Sequence, residues 1–273
     1  MKVLLLCGGA ANQKALAHKI SHLLQLDSII LFDASLGNTS VGRFRSGQIR
    51  QQLSSITIGY PLRAAWYGML RHYDALYPDF PISPALNCAD VNTPSVHEYV
   101  ARVKPDLVLV SGTNLLRDPL IDEIQRHGRV MNLHTGISPY VKGGPDCTYW
   151  CLALREFGLI GNTVMWLDVG IDRGNIIATE RTVLAGDETL LKVRIAVMEH
   201  AHALYLKCIE RYVSGDRLPD VPQASFPIKR LFLGKHWRGW QMASAVFNYY
   251  VHFHRGSPFL DEPRELTLVN LAD

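Results

Sequence analysis

Four short apolar runs constrain what this chain can fold into. Residues 3–6, 28–32, 106–110 and 130–133 are almost continuously apolar rather than alternating. Strands of that kind are buried on both faces, which is the habit of a parallel sheet covered by helices. The first run ends in Gly8-Gly9, and Leu16, Ile20, Leu23 and Leu24 then recur at helical spacing before the second run. Strand, glycine turn, helix and strand in that order open a doubly wound α/β fold.

The rest of the chain extends the pattern. Residues 43–73 are expected to be helical, and 77–94, with Pro78, Pro81, Pro84 and Pro94, to form an irregular loop. Thr93-Pro94 reads as a helix start, with the helix running to about Val103. Asp118-Pro119 opens another. Residues 147–157 are expected to be helical, 162–167 and 175–184 to form two antiparallel strands, and 188–213 to form a long helix stopped by Gly215. From 214 onward Pro219, Pro222 and Pro227 interrupt an aromatic-rich stretch, which reads as less regular. The expected division is therefore a main domain at 1–213 and an extension at 214–273, for substrate contact or oligomerisation.

Composition excludes several classes. With 273 residues, 48% hydrophobic and 19% charged, the chain is long enough for one full core. A net charge of +3 is too small for a nucleic-acid binder. The N-terminal apolar run is too short for a signal peptide, and no stretch approaches a membrane span. Five cysteines without a CxxC pair read as reduced thiols in a cytoplasmic protein. Cys147 and Cys151 share a helix face but lack further ligands nearby, and His200, His202 and His252-x-His254 read as packing or surface residues, so no metal is expected.

The chemistry gathers between residues 131 and 177. Asn132 and His134 stand two apart at a strand end, so both side chains face the same way. Pro139 and Gly143-Gly144 follow in a rigid loop. Asp172 lies between Gly170 and Gly174 in a tight connection joining two strands. An amide, an imidazole and a carboxylate at strand ends supply what acyl transfer to an amine needs: an oxyanion donor, a proton carrier and an anion to hold that carrier. Each residue alone reads equally well as a cap or a turn residue; the combination carries the argument.

Asn132-x-His134, the proline loop, Gly161-Asn162-Thr163-Val164 and Asp172-x-Gly174-x-Ile176-Ile177 closely resemble the 10-formyltetrahydrofolate-dependent formyltransferase family. The likeness is greatest to the sugar N-formyltransferases. It covers roughly residues 90–210, and more loosely the first 30. It implies a Rossmann-like catalytic domain with a mostly parallel sheet and a smaller, irregular C-terminal extension. It implies that Asn132 and His134 stabilise the formyl oxygen as it gains charge, and that Asp172 orients His134 or takes the amine proton. It places 10-formyltetrahydrofolate, as co-substrate, along Asn114, Leu115 and Leu116 on one wall and Val169, Gly170 and Ile171 on the other. Gly9, Ala10 and Asn12 resemble the phosphate-binding turn of glycinamide ribonucleotide transformylase, and a helix N-terminus suits an anion.

The chain departs from the family pattern at Met165, where a histidine is common, and at Thr135-Gly136-Ile137-Ser138, where Pro-Ser-Leu-Leu is common. The implied acceptor is a small amine, phosphorylated or nucleotide-linked, with an amino sugar on a nucleotide favoured by the length beyond the long helix. Glycinamide ribonucleotide, a hydroxyornithine-type amine, hydrolysis of the folate and a non-catalytic folate- or nucleotide-binding module are the alternatives. Neither a nucleic-acid nor a membrane partner is expected, and the aromatic tail is compatible with a homodimer.

Overall fold

The computed structural model describes residues 1–37, 57–144, 146–167, 174–227, 229–253 and 266–271. Its central sheet uses β1 (Val3–Gly8), β2 (Ser28–Phe32), β3 (Leu86–Cys88), β4 (Leu107–Ser111), β5 (Arg129–His134), β7 (Gly161–Trp166) and β8 (Ile176–Arg181). The order is β3-β2-β1-β4-β5-β7-β8. The first five strands run parallel and the last two antiparallel. A two-stranded ladder joins β6 (Lys142–Gly143) to β9 (Leu231–Phe232). The four apolar runs are thus the four inner parallel strands. Leu4, Leu5, Leu6 and Val108 are all under 2% exposed because both sheet faces are covered.

The chain winds from β1 outward to β3, then returns to β4 and β5 on the other side. The order reverses between β1 and β4, and a crevice opens there beyond the strands' carboxyl ends. Helices α1 (Ala11–Leu23), α2 (Tyr60–Leu76) and α6 (Leu190–Val213) contact one another on one face. Helices α3 (Pro94–Val103) and α4 (Asp118–Gln125) cover the other, against Leu4, Leu6, Val108 and Val130. The mid-α6 Tyr205 hydroxyl is buried under the crevice, accepting from Val110 N–H at 3.0 Å and donating to the Met131 carbonyl at 2.6 Å.

Four sequence expectations are corrected. The proline-rich stretch contains β3, a three-residue edge strand that exists because β2 pairs with it through Ile30, Leu31 and Phe32; so short a strand has no periodicity of its own. Helix α2 spans 60–76, starting after Gly59 with Pro61 in its first turn; residues 43–56 lie outside the described residues. Helix α5 (Cys147–Leu154) ends early because Arg155 turns left-handed (φ 58°). The tail is more regular than expected, since α7 (Gly239–Val251) forms there. Its buried Met242, Ala245 and Tyr249 sit at helical spacing, but exposed Trp240, Phe247 and Tyr250 on the other side erase the polar contrast that would have marked a helix.

Residues of this tail pack into the main core: Trp237, Met242, Ala245, Tyr249 and Phe253 share a cluster with α5 and with Leu62 and Ala65 of α2. Among the described residues no helix is long and apolar enough to cross a membrane.

Candidate active site

The crevice at the strand-order reversal holds a cavity of about 480 Å3. Three stretches reach it for the topological reason just given. Asn12 and Gln13 follow β1, Ser111 to Leu116 follow β4, and Asn132 to Thr135 end β5. Asn132 and His134 both line it, as their two-residue spacing on a strand predicts. Asn132 pairs across the sheet with Val110 and Met165, and His134 with Thr163.

His134 is buried at 9% exposure, and its Nε2 lies 3.3 Å from the Val141 carbonyl and 3.6 Å from Cys147 Sγ. The loop between them is clamped by Thr163, whose hydroxyl donates to the Gly136 carbonyl at 2.7 Å and accepts from Ser138 N–H at 2.9 Å. A side chain at Gly136 would collide with this seat: its Cβ would stand 2.7 Å from His134 Nε2. Glycine at 136 therefore leaves the room in which the imidazole sits.

On the opposite wall Gly112 has φ +69°, and its missing side chain leaves room for the Gln13 amide. Asn114 lines the cavity, but its side chain is engaged elsewhere: Oδ1 accepts from Val91 N–H at 3.1 Å and Nδ2 donates to Asp90 at 2.8 Å. The Asn92 amide N–H and Asn114 together hold the Asp90 carboxyl below its ordinary value. Leu116, at 3% exposure, gives this wall an apolar floor.

Other predicted residues fare differently. Asn12 lines the cavity, buried at 3%, with Nδ2 set against Met198 Sδ at 3.5 Å, whereas Gly9 and Ala10 do not line it. Asp172, Val169, Gly170 and Ile171 lie outside the described residues. The far end of their loop is held by Gln223, whose Nε2 donates to the Gly174 carbonyl at 2.8 Å and approaches Met165 Sδ at 3.8 Å. All five cysteines are buried and none is in a disulfide, and burial pushes the Cys7 and Cys208 thiols up to about 12. Among the described residues no group of three or more His, Cys, Asp or Glu is placed to hold a metal.

Sequence reasoning missed Asp146 and Arg194, which also line the cavity. Arg194 lies 3% exposed, and its Nη1 donates to Asp146 Oδ1 at 2.9 Å and pairs with Oδ2 at 2.8 Å. A signal was present: Leu190, Val193, Arg194, Val197, Met198 and Ala201 form one buried stripe of α6, and an arginine inside such a stripe needs a partner.

An open, doubly wound sheet with an amide and an imidazole lining the crevice at its switch point is the architecture of an α/β protein that binds its ligand there. Residues 45–209, more than half of the chain, match the family model described as formyl transferase, and the chain belongs to that family. Among curated proteins it is similar to methionyl-tRNA formyltransferases, such as those of Citrifermentans bemidjiense and Alkaliphilus oremlandii. The first is 24% identical over 137 residues, 50% of this chain and 42% of that protein. The second is 27% identical over 149 residues, 55% of this chain and 46% of that protein. Each match spans less than half of the relative's length.

Solved structures share the fold. An N-formyltransferase from Helicobacter canadensis, in complex with folinic acid and dTDP-3-aminofucose, superposes with a TM-score of 0.56 at 14% identity, covering 91% of this chain and 81% of that one. A sugar N-formyltransferase from Shewanella sp gives 0.54 at 12% identity, covering 91% and 88%. Glycinamide ribonucleotide transformylase 1 from Symbiobacterium toebii gives 0.51 at 18% identity, covering 81% and 94%.

Proposed function

We propose that this protein moves a formyl group from 10-formyltetrahydrofolate to the primary amine of a small molecule. The observation that carries the reading is the convergence of Asn132 and His134 in one cavity with the backbone of residues 112–116 opposite. The co-substrate supplies the formyl carbon as an amide of its N10 nitrogen. Asn132 donates to the formyl oxygen as the incoming amine drives charge onto it, and a donor so placed is worth about 10²–10³ in rate. His134 adds a second donor when protonated and hands a proton to the departing nitrogen. Asp172 steadies the imidazolium or receives the amine's proton. Leu115 and Leu116 on one side, with Val169, Gly170 and Ile171 on the other, hold the pterin. The carbon–N10 bond breaks, a bond from the same carbon to the amine forms, and one proton passes from the amine to N10.

Within this class we favour a nucleotide-linked amino sugar as acceptor. The extent of the fold shared with the Helicobacter and Shewanella proteins supports this choice. Residues 1–213 make up the catalytic unit in this reading, and 214–273 an extension that meets the acceptor or a second copy. A single-turnover assay tests the function. The folate is mixed with dTDP-, UDP- or GDP-linked amino sugars, with glycinamide ribonucleotide and with initiator methionyl-tRNA, and formylated product is measured. Formate release at the same rate without any acceptor overturns transfer in favour of hydrolysis. Formylation of the tRNA alone overturns the small-molecule acceptor.

A further inference from the structure

We infer that the acceptor is read in a side cavity beside the one holding Asn132 and His134, and that Asp146, at the neck between them, is the specificity-determining residue. The inference rests on the amine-acceptor reading above. The side cavity measures about 280 Å3 and shares Trp66 and Asp146 with the larger cavity. Four of its nine lining residues carry aromatic rings: Trp66, Tyr67, Tyr149 and Trp237. Tyr149 and Trp237 are stacked, centroids 6.5 Å apart and planes 20° apart. The Tyr149 hydroxyl is spent on the Leu62 carbonyl at 2.6 Å, so this residue offers the cavity its ring. Such walls take a flat or ring-shaped group.

At the neck the chemistry changes. Asp146 caps α5 by accepting from Tyr149 N–H at 3.1 Å, and Arg194 grips both of its oxygens. The guanidinium is itself fixed over the Trp66 and Tyr149 rings, at 4.9 and 5.0 Å. An ionised carboxylate has about four acceptor positions. The described hydrogen bonds place two donors on Oδ1, and Oδ2 has the Arg194 ion pair, on a side chain that is 14% exposed and lines both cavities. The capacity left on Oδ2 suits a donor on the ligand: a hydroxyl, or the amine itself. A phosphate or carboxylate at the same point meets like charge. The acceptor therefore carries a hydroxylated ring at the neck, its amine toward Asn132 and His134, and an apolar or aromatic handle in the side cavity. Among the described residues lining that cavity, Arg63 is an exposed cation within reach of a phosphate on the handle.

Asp146 also has structural work, so the test separates the two roles. Asp146→Asn keeps a good cap and an acceptor for Arg194 but removes the charge. Tyr67 is 51% exposed and lines only the side cavity of the two, so Tyr67→Ala leaves the core intact. The probe is dTDP-3-aminofucose, titrated by quenching of tryptophan fluorescence, with folinic acid titrated separately. The expected result is a rise in probe Kd of tenfold or more in Asp146→Asn and about threefold or more in Tyr67→Ala. Folinic acid Kd stays within twofold in both, and Asp146→Glu recovers part of the loss. Unchanged probe Kd in a cooperatively melting Asp146→Asn overturns the inference, as do parallel losses for both ligands or no binding of the probe by the unaltered protein. If Asp146→Asn does not fold, Tyr67→Ala decides, and an unchanged probe Kd there overturns it. A probe that is bound and never formylated counts against the transfer reading while leaving the subsite standing.

Discussion

Gly136→Ala tests how tightly His134 must be seated. The new Cβ would stand 2.7 Å from His134 Nε2, 2.7 Å from the Val141 carbonyl oxygen and 2.9 Å from Cys147 Cβ. Non-bonded heavy atoms settle near 3.5 Å, so something must retreat by about 0.8 Å. The Gly136 backbone cannot move easily, because Thr163 bonds both its carbonyl and Ser138 N–H. The imidazole is the softer party. Overpacking of this kind costs about 1–3 kcal/mol, or roughly 2–10 °C in melting temperature for a domain of this size. Displacing a catalytic group by nearly 1 Å costs on the order of 10²-fold in rate. The expected outcome is a kcat for formyl transfer reduced about 10²-fold, with folinic acid Kd within a few fold, in a protein that still melts cooperatively. A kcat within twofold of the parent, with the melting temperature unchanged, refutes the claim that glycine is needed to seat the imidazole.

Four further outcomes are expected. Asn132→Ala loses about 10²–10³ in kcat while folate binding persists, measured by single turnover and titration, because the amide is proposed to act on the formyl oxygen. Asp172→Asn lowers turnover by several orders with folate binding still detectable; near-normal turnover removes Asp172 from the mechanism. Tyr205→Phe strands the buried Val110 N–H and the Met131 carbonyl, and destabilises by about 1–3 kcal/mol in urea unfolding. His202 is buried among Lys19, Tyr73 and Glu199, and burial followed by the Lys19 charge pushes its pKa down to about 3, from an ordinary 6.5. The unfolded chain alone takes up that proton between these values, so His202 lowers stability as pH falls below about 6.5, by roughly 2 kcal/mol at pH 5. His202→Gln flattens that part of the pH–stability curve, and an unchanged slope between pH 5 and 7 contradicts the assignment.

The inner parallel strands, the glycine turn after β1, α3 and the Asn132–His134 pair were legible because each is a local pattern. Doubly buried strands are apolar at every position, and two residues apart on a strand means one face. Helix α7 was not legible, because aromatic residues occupy both its buried and its exposed sides. Nor was β3, whose three residues become a strand only through their pairing with β2.

The amino-acid sequence by itself determined the fold class and put Asn132 and His134 on one face of a strand end, since both rest on short-range spacing that burial enforces wherever it occurs. Tertiary structure alone decided which residues meet at the side cavity and its neck. Asp146 and Arg194 are 48 residues apart, and Tyr149 meets Trp237 across a still longer stretch of chain. Charge partners and ring walls of that kind are chosen by packing between elements, and no local period records which elements will meet.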